Sequence, residues 1–165
     1  MAIIQCTQKL LKELKVVPVQ IDAAGGALSL WHSNLLILDR RKCVLFTNDQ
    51  TRYSFLFPGL KKPDFKFMGE IFGQGLFKCL LQDSFTQEQV EKLLEETLEI
   101  VYSKTSNRSV LGSMNDIAQI IRWSIYDEGG LNNTDIDKLH HIINHMPCGA
   151  IGYKFSVEAL RELLT

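Results

Sequence analysis

A chain of 165 residues, 45% apolar and 22% charged, is long enough to bury its own core, so neither a disulfide framework nor a structural metal is needed for folding. Its 18 basic and 19 acidic residues leave a formal charge of −1, which excludes a global pull toward nucleic acid or an anionic membrane. Met1-Ala2-Ile3-Ile4 carries no basic segment ahead of an apolar one and predicts no signal peptide, and no apolar run approaches the ~18 residues of a membrane span. Cys6, Cys43, Cys79 and Cys148 are far apart and form no C-x-x-C pair, which points to a reducing cytoplasm.

Ile3 to Cys6 reads as a first strand, and Thr7 offers an N-cap to a helix with Leu10, Leu11 and Leu14 on one face. Pro18 and Ala23-Ala24-Gly25-Gly26 mark a connecting segment. From Leu28 to Phe57 three strands follow. The first alternates Leu28, Leu30 and His32 with Ser29, Trp31 and Ser33 and runs on through Leu35 to Leu38. Asp39-Arg40-Arg41-Lys42 is the polar turn to Cys43–Phe46, and Asn48-Asp49-Gln50 the turn to Tyr53–Phe57; the group reads as an antiparallel meander ended by Pro58-Gly59.

Pro63 suits the first turn of a helix carrying Phe65, Met68, Phe72, Leu76 and Cys79, with Gly69 and Gly73 on a shared face read as a close-packing surface. Thr86 and Gln89 form a capping box, Phe85 can staple to Val90, and Val90, Leu93, Leu94 and Leu98 supply the apolar face of the next helix. A strand over 99–104 leads to a long helix over 108–127 with Val110, Met114, Ile117, Ile121 and Ile125 on one face. Two shorter helices, 134–146 and 156–164, start at Thr134 and Ser156. The fold class is α+β: an antiparallel or mixed sheet of about five strands with helices packed on it, plus a C-terminal helical tail. One domain is expected, with an α+β core over 1–128 and a helical extension over 129–165.

The string Ser106-Asn107-Arg108-Ser109-Val110-Leu111-Gly112-Ser113-Met114-Asn115-Asp116, with Ile4-Gln5-Cys6-Thr7, Trp31-His32-Ser33-Asn34-Leu35 and Asn48-Asp49-Gln50-Thr51-Arg52-Tyr53, resembles an uncharacterised family of bacterial domains of unknown function. The likeness spans most of residues 3–125 and implies a bacterial source but no activity. A local likeness of Ile143-Asn144-His145-Met146-Pro147 and Ile151 to Glu158 to the tail of transposase and integrase domains is not accompanied by their three carboxylates.

On the long helix, Ser109, Gly112, Ser113 and Asp116 share about one third of the circumference near the start, where Arg108 and free N–H groups favour an anion. Two readings stand side by side: a small-ligand or phosphate site, and a small-residue surface for tight packing with Asn107 and Ser109 as caps. His32, Asp49, Arg52 and Tyr53 lie near strand ends and can meet Arg108 in a hydrogen-bonded cluster. The candidate ligand set is therefore His32, Arg52, Arg108, Ser109, Ser113 and Asp116. His141 and His145 share a helix face with Cys148 close behind, but without a full ligand set no metal is assigned. No phosphate loop, dinucleotide fingerprint or nucleophile elbow occurs. No cofactor is called for, and neither nucleic acid nor membrane is an expected partner. The expectation is a non-catalytic binding or interaction module for a small anionic ligand or a protein, with a hydrolase or transferase of phosphate-bearing substrates as its competitor.

Overall fold

The computed structural model describes residues 1–21 and 25–165. The connecting segment expected at Ala23-Ala24-Gly25-Gly26 lies in part outside the described residues. Five strands form one mixed sheet: β1 (Ala2–Cys6), β2 (Leu30–Leu38), β3 (Arg41–Asn48), β4 (Ser54–Leu60) and β5 (Ile100–Lys104), in the order β4-β3-β2-β1-β5. β1 runs parallel to β2 and β5, whereas β2, β3 and β4 form the expected antiparallel meander. Six helices pack on the sheet: α1 (Gln8–Leu14), α2 (Met68–Gln82), α3 (Gln87–Glu96), α4 (Arg108–Asp127), α5 (Ile136–Asn144) and α6 (Ser156–Leu164). A short hairpin of β6 (Pro147–Cys148) and β7 (Lys154–Phe155) joins the last two.

Side-chain alternation sends Trp31, Leu35, Val44, Phe46 and Phe55 to one face, where they meet α1, α2, α3 and α6. Phe72 of α2 is the hub: its ring lies 5.1 Å from both Trp31 and Phe46 and 5.6 Å from Phe55. Leu36, Leu38, Cys43, Leu45 and Leu56 point to the other face and pack under Val110, Met114, Ile117, Ile121 and Ile125 of α4 and Leu139 and Ile143 of α5. The C-terminal helices thus contribute to both layers, α6 through Val157, Leu160 and Leu164 on the first face and α5 on the second.

Several elements differ from expectation for local reasons. The β2–β3 turn is only Asp39-Arg40, both left-handed at φ 51° and 63°, so Arg41 and Lys42 already belong to β3. β4 does not stop at Pro58-Gly59 but continues to Leu60 past a register shift between Lys42 and Val44. As an edge strand it tolerates a proline, and Gly59 at φ 70° absorbs the irregularity. Pro63 opens a separate 3₁₀ turn over Lys62–Phe67, and α2 begins only at Met68. Close approach in α2 is made by Gly75, where a Cβ would stand 2.7 Å from the Phe55 ring, and not by Gly69 or Gly73. Thr7 sits at the N-cap of α1 but turns its hydroxyl to Asn34 Oδ1, and the Thr86–Gln89 capping box forms as expected. Leu98 lies past the end of α3 and is exposed. Asp135, not Thr134, caps α5, and Ser156 is a buried first residue of α6 instead of its cap.

Candidate functional site

The β3–β4 turn builds the floor of the site. Asn48 Oδ1 accepts from the N–H groups of Gln50 and Thr51 and from the Thr51 hydroxyl, while its amide donates to Ala27 O, so one side chain pins the whole turn. The turn ends at Arg52, held at φ 61°, a left-handed conformation uncommon for a residue with a side chain. This backbone aims the guanidinium at the start of α4. Arg52 Nε donates to Ser113 Oγ at 3.0 Å and Nη2 to Ser109 Oγ at 2.9 Å. Ser109 and Ser113 lie one helical turn apart, the spacing that two arms of a planar guanidinium can span. Asn107 caps α4 by accepting from Ser109 N–H and Val110 N–H, which leaves the Ser109 hydroxyl for the arginine.

Arg52 is 7% exposed, and among the described residues no carboxylate lies within the 4.0 Å of an ion pair. Burial lowers its pKa, opposed in part by Cys148 and Asp49. Among the described residues Nη1 has no hydrogen-bond partner, and neither serine hydroxyl, each already accepting from the guanidinium, donates to another group. Arg52, Ser109 and Ser113 border a cavity of about 350 Å³. Ser109, Gly112, Ser113 and Asp116 of α4 form one wall, and Ile143 and Met146 to Ala150, with Ser156, form the other. The small-residue face of α4 is thus the open wall of a cavity; no Cβ on Gly112 would meet anything within 4 Å.

The remaining candidates take different places. His32 is fully buried on the α4 side of the sheet, its Nδ1 2.7 Å from Asp49 Oδ1, while Nε2 has no partner among the described residues. Gln5 Nε2 donates to Asp49 Oδ2 at 2.8 Å and Gln5 Oε1 accepts from the Ser106 hydroxyl, so this network joins β1, β2, the β3–β4 turn and the start of α4. Tyr53 points instead to the opposite face, where its hydroxyl donates to Asp83 Oδ2. Arg108 is exposed and does not border the cavity; Arg52 is the basic residue that does. The wall contributed by Met146, Cys148 and Ser156 was not legible in the sequence, because nothing local in that segment announces that it folds back over α4.

A larger cavity of about 820 Å³ lies between β1, β5 and residues 16–21. Its ionisable side chains, Lys12 and Lys104, are exposed, so no buried charge there asks for a ligand. No helix among the described residues is long and apolar enough to cross a membrane.

Neither the curated proteins nor the solved structures compared with the chain include a match. A family model, Domain of unknown function (DUF6933), matches residues 3–159, reaching beyond the likeness at 3–125 into the C-terminal helices. The chain belongs to that family.

Proposed function

We propose that this member of the DUF6933 family is a non-catalytic binding module of the bacterial cytoplasm that holds a small anion, a phosphate or carboxylate group, against Arg52. The observation that carries the reading is an arginine, 7% exposed as a residue and without a carboxylate partner among the described residues, that borders a cavity of about 350 Å³. Removing an arginine from water without a counter-charge costs several kcal/mol, a cost that an anionic ligand would offset. Arg52 Nη1 and the hydroxyls of Ser109 and Ser113 offer donors, and donors are what an oxyanion requires. The cavity volume suits a small metabolite and not a peptide segment.

Binding is favoured over catalysis by what the serines face. Both oxygens accept from a cation, and no histidine or carboxylate hydrogen-bonds to either among the described residues, so neither has a base to activate it. The cytoplasmic reading is supported by four free cysteines, three of them buried.

The test is amide and guanidinium NMR of the intact chain titrated with inorganic phosphate and, separately, acetate. Saturable shifts at Ser109, Gly112, Ser113 and Arg52 Nε–H that vanish in Arg52→Gln are expected. Absence of saturable shifts with both anions, or shifts that survive Arg52→Gln, would remove the proposal. Steady hydrolysis of a phosphoester that depends on Asp116 would replace it with the hydrolase or transferase reading.

A further inference from the structure

α5 turns a second set of polar groups away from the Arg52 cavity. At 100° per residue, His141 and His145 lie on the side of the helix opposite Ile143, which borders that cavity. They meet Asp83, the residue that ends α2, and one ligand atom from each of the three lies within 4.8 Å of the others. We propose that Asp83, His141 and His145 bind one Zn²⁺ ion.

Two of the three side chains have their other polar atom engaged, the arrangement that orients metal ligands. His145 Nδ1 lies 2.8 Å from the carbonyl of His141 in its own helix, so it carries the proton there and leaves the Nε2 lone pair free. Asp83 Oδ2 accepts from the hydroxyl of Tyr53, a residue with no exposed surface. That hydrogen bond occupies Oδ2 and leaves Oδ1 for an ion. Arg161 Nη2 fixes the Asp83 backbone by donating to its carbonyl.

His141 is the closing ligand. It is exposed, its ring nitrogens make no hydrogen bond among the described residues, and its ring stacks on that of His145 at 3.9 Å with 18° between planes. A metal must lie in the plane of each imidazole it binds, so coordination requires the His141 ring to turn out of the stack. Its exposure leaves room for that rotation. Two imidazoles and a carboxylate fit a first-row divalent ion of borderline softness, with the fourth tetrahedral position left to water or an added ligand. These residues are distinct from those that border the anion cavity, so the fate of either site does not decide the other.

The experiment is calorimetric titration of chelator-treated full-length protein with Zn²⁺, paired with Co²⁺ titration read by visible absorption. One equivalent is expected to bind, Co²⁺ giving tetrahedral d–d bands, and His141→Ala and Asp83→Asn are each expected to weaken Zn²⁺ at least about tenfold. Because His141 is exposed, its substitution leaves the fold intact, and circular dichroism verifies this. No binding at one equivalent, or an affinity unchanged by either substitution, overturns the proposal.

Discussion

The two faces of the sheet are built on different principles. The face covered by α1, α2, α3 and α6 is mostly apolar, with Trp31, Phe46, Phe55 and Phe72 at its centre and the buried Ser33 hydroxyl satisfied by Leu45 O. The face under α4 and α5 is apolar only where Leu36, Leu38, Cys43, Leu45 and Leu56 point into it. Toward the other end of the same strands, the buried residues on that face become Gln5, His32, Thr47 and Ser54. The Arg52 cavity opens where the apolar half gives out. Stability is concentrated in the first face, and the second exchanges part of its apolar contact for polar groups that must each find a partner.

That contrast makes Phe72→Ala the most costly single change. Phe72 has no exposed surface and packs on three aromatic rings, so truncation should cost about 3–5 kcal/mol, measured by urea unfolding. A loss no larger than that of a polar substitution on the second face would break the comparison.

Next comes the edge of the sheet. Among the described residues no sixth strand lies beside β4; α5 supplies the ladder there with side chains. Asn144 accepts from Ser54 N–H at 2.9 Å and donates to Ser54 O at 2.8 Å, and one turn earlier His140 Nε2 accepts from Leu56 N–H at 2.8 Å. Asn144→Ala strands two buried backbone groups and should cost about 2–3 kcal/mol by the same measurement.

His140 adds a dependence on pH. Burial lowers its pKa, opposed in part by the Leu56 carbonyl, so the folded state binds fewer protons than the unfolded chain in this range. Its contribution is whole above about pH 6.5, the usual histidine value, and is lost as pH falls through the lowered folded value. Between pH 7.5 and 5 the wild type should therefore lose more stability than His140→Gln. Equal losses would mean that His140 is not held neutral.

Legibility in the sequence followed how local the cause was. α4 was readable end to end because five apolar residues at helical spacing lie inside it and its Asn107 cap directly precedes it. The grouping of Arg52 with Ser109 and Ser113 was readable as a cluster of candidates near strand and helix ends. Which arginine serves it was not, since that depends on the left-handed backbone at Arg52 and on α4 crossing the β3–β4 turn. His140 and Asn144 left a faint sign: polar residues beside Leu139 and Ile143 on the buried face of α5. Their meaning required knowing that β4 is an edge. Pro58 misled for the same reason, because a proline ends a central strand but is admitted by an edge.

The smallest expected effect separates the two arginines. Arg108 is exposed at the first turn of α4, so it acts on an anion in the cavity only through a field that salt screens. Arg108→Ala should weaken phosphate by less than about threefold at physiological ionic strength, a change of less than about 0.7 kcal/mol. Arg52→Gln should abolish binding while leaving unfolding stability unchanged or slightly higher, because it removes a largely buried charge that has no carboxylate partner among the described residues. Phosphate titrations of the two variants, each paired with a urea curve, decide between them. If Arg108→Ala abolishes binding and Arg52→Gln lowers stability by several kcal/mol, then Arg52 is a structural tie between the β3–β4 turn and α4. The polar half of the second face would in that case be a packing solution and not a ligand site.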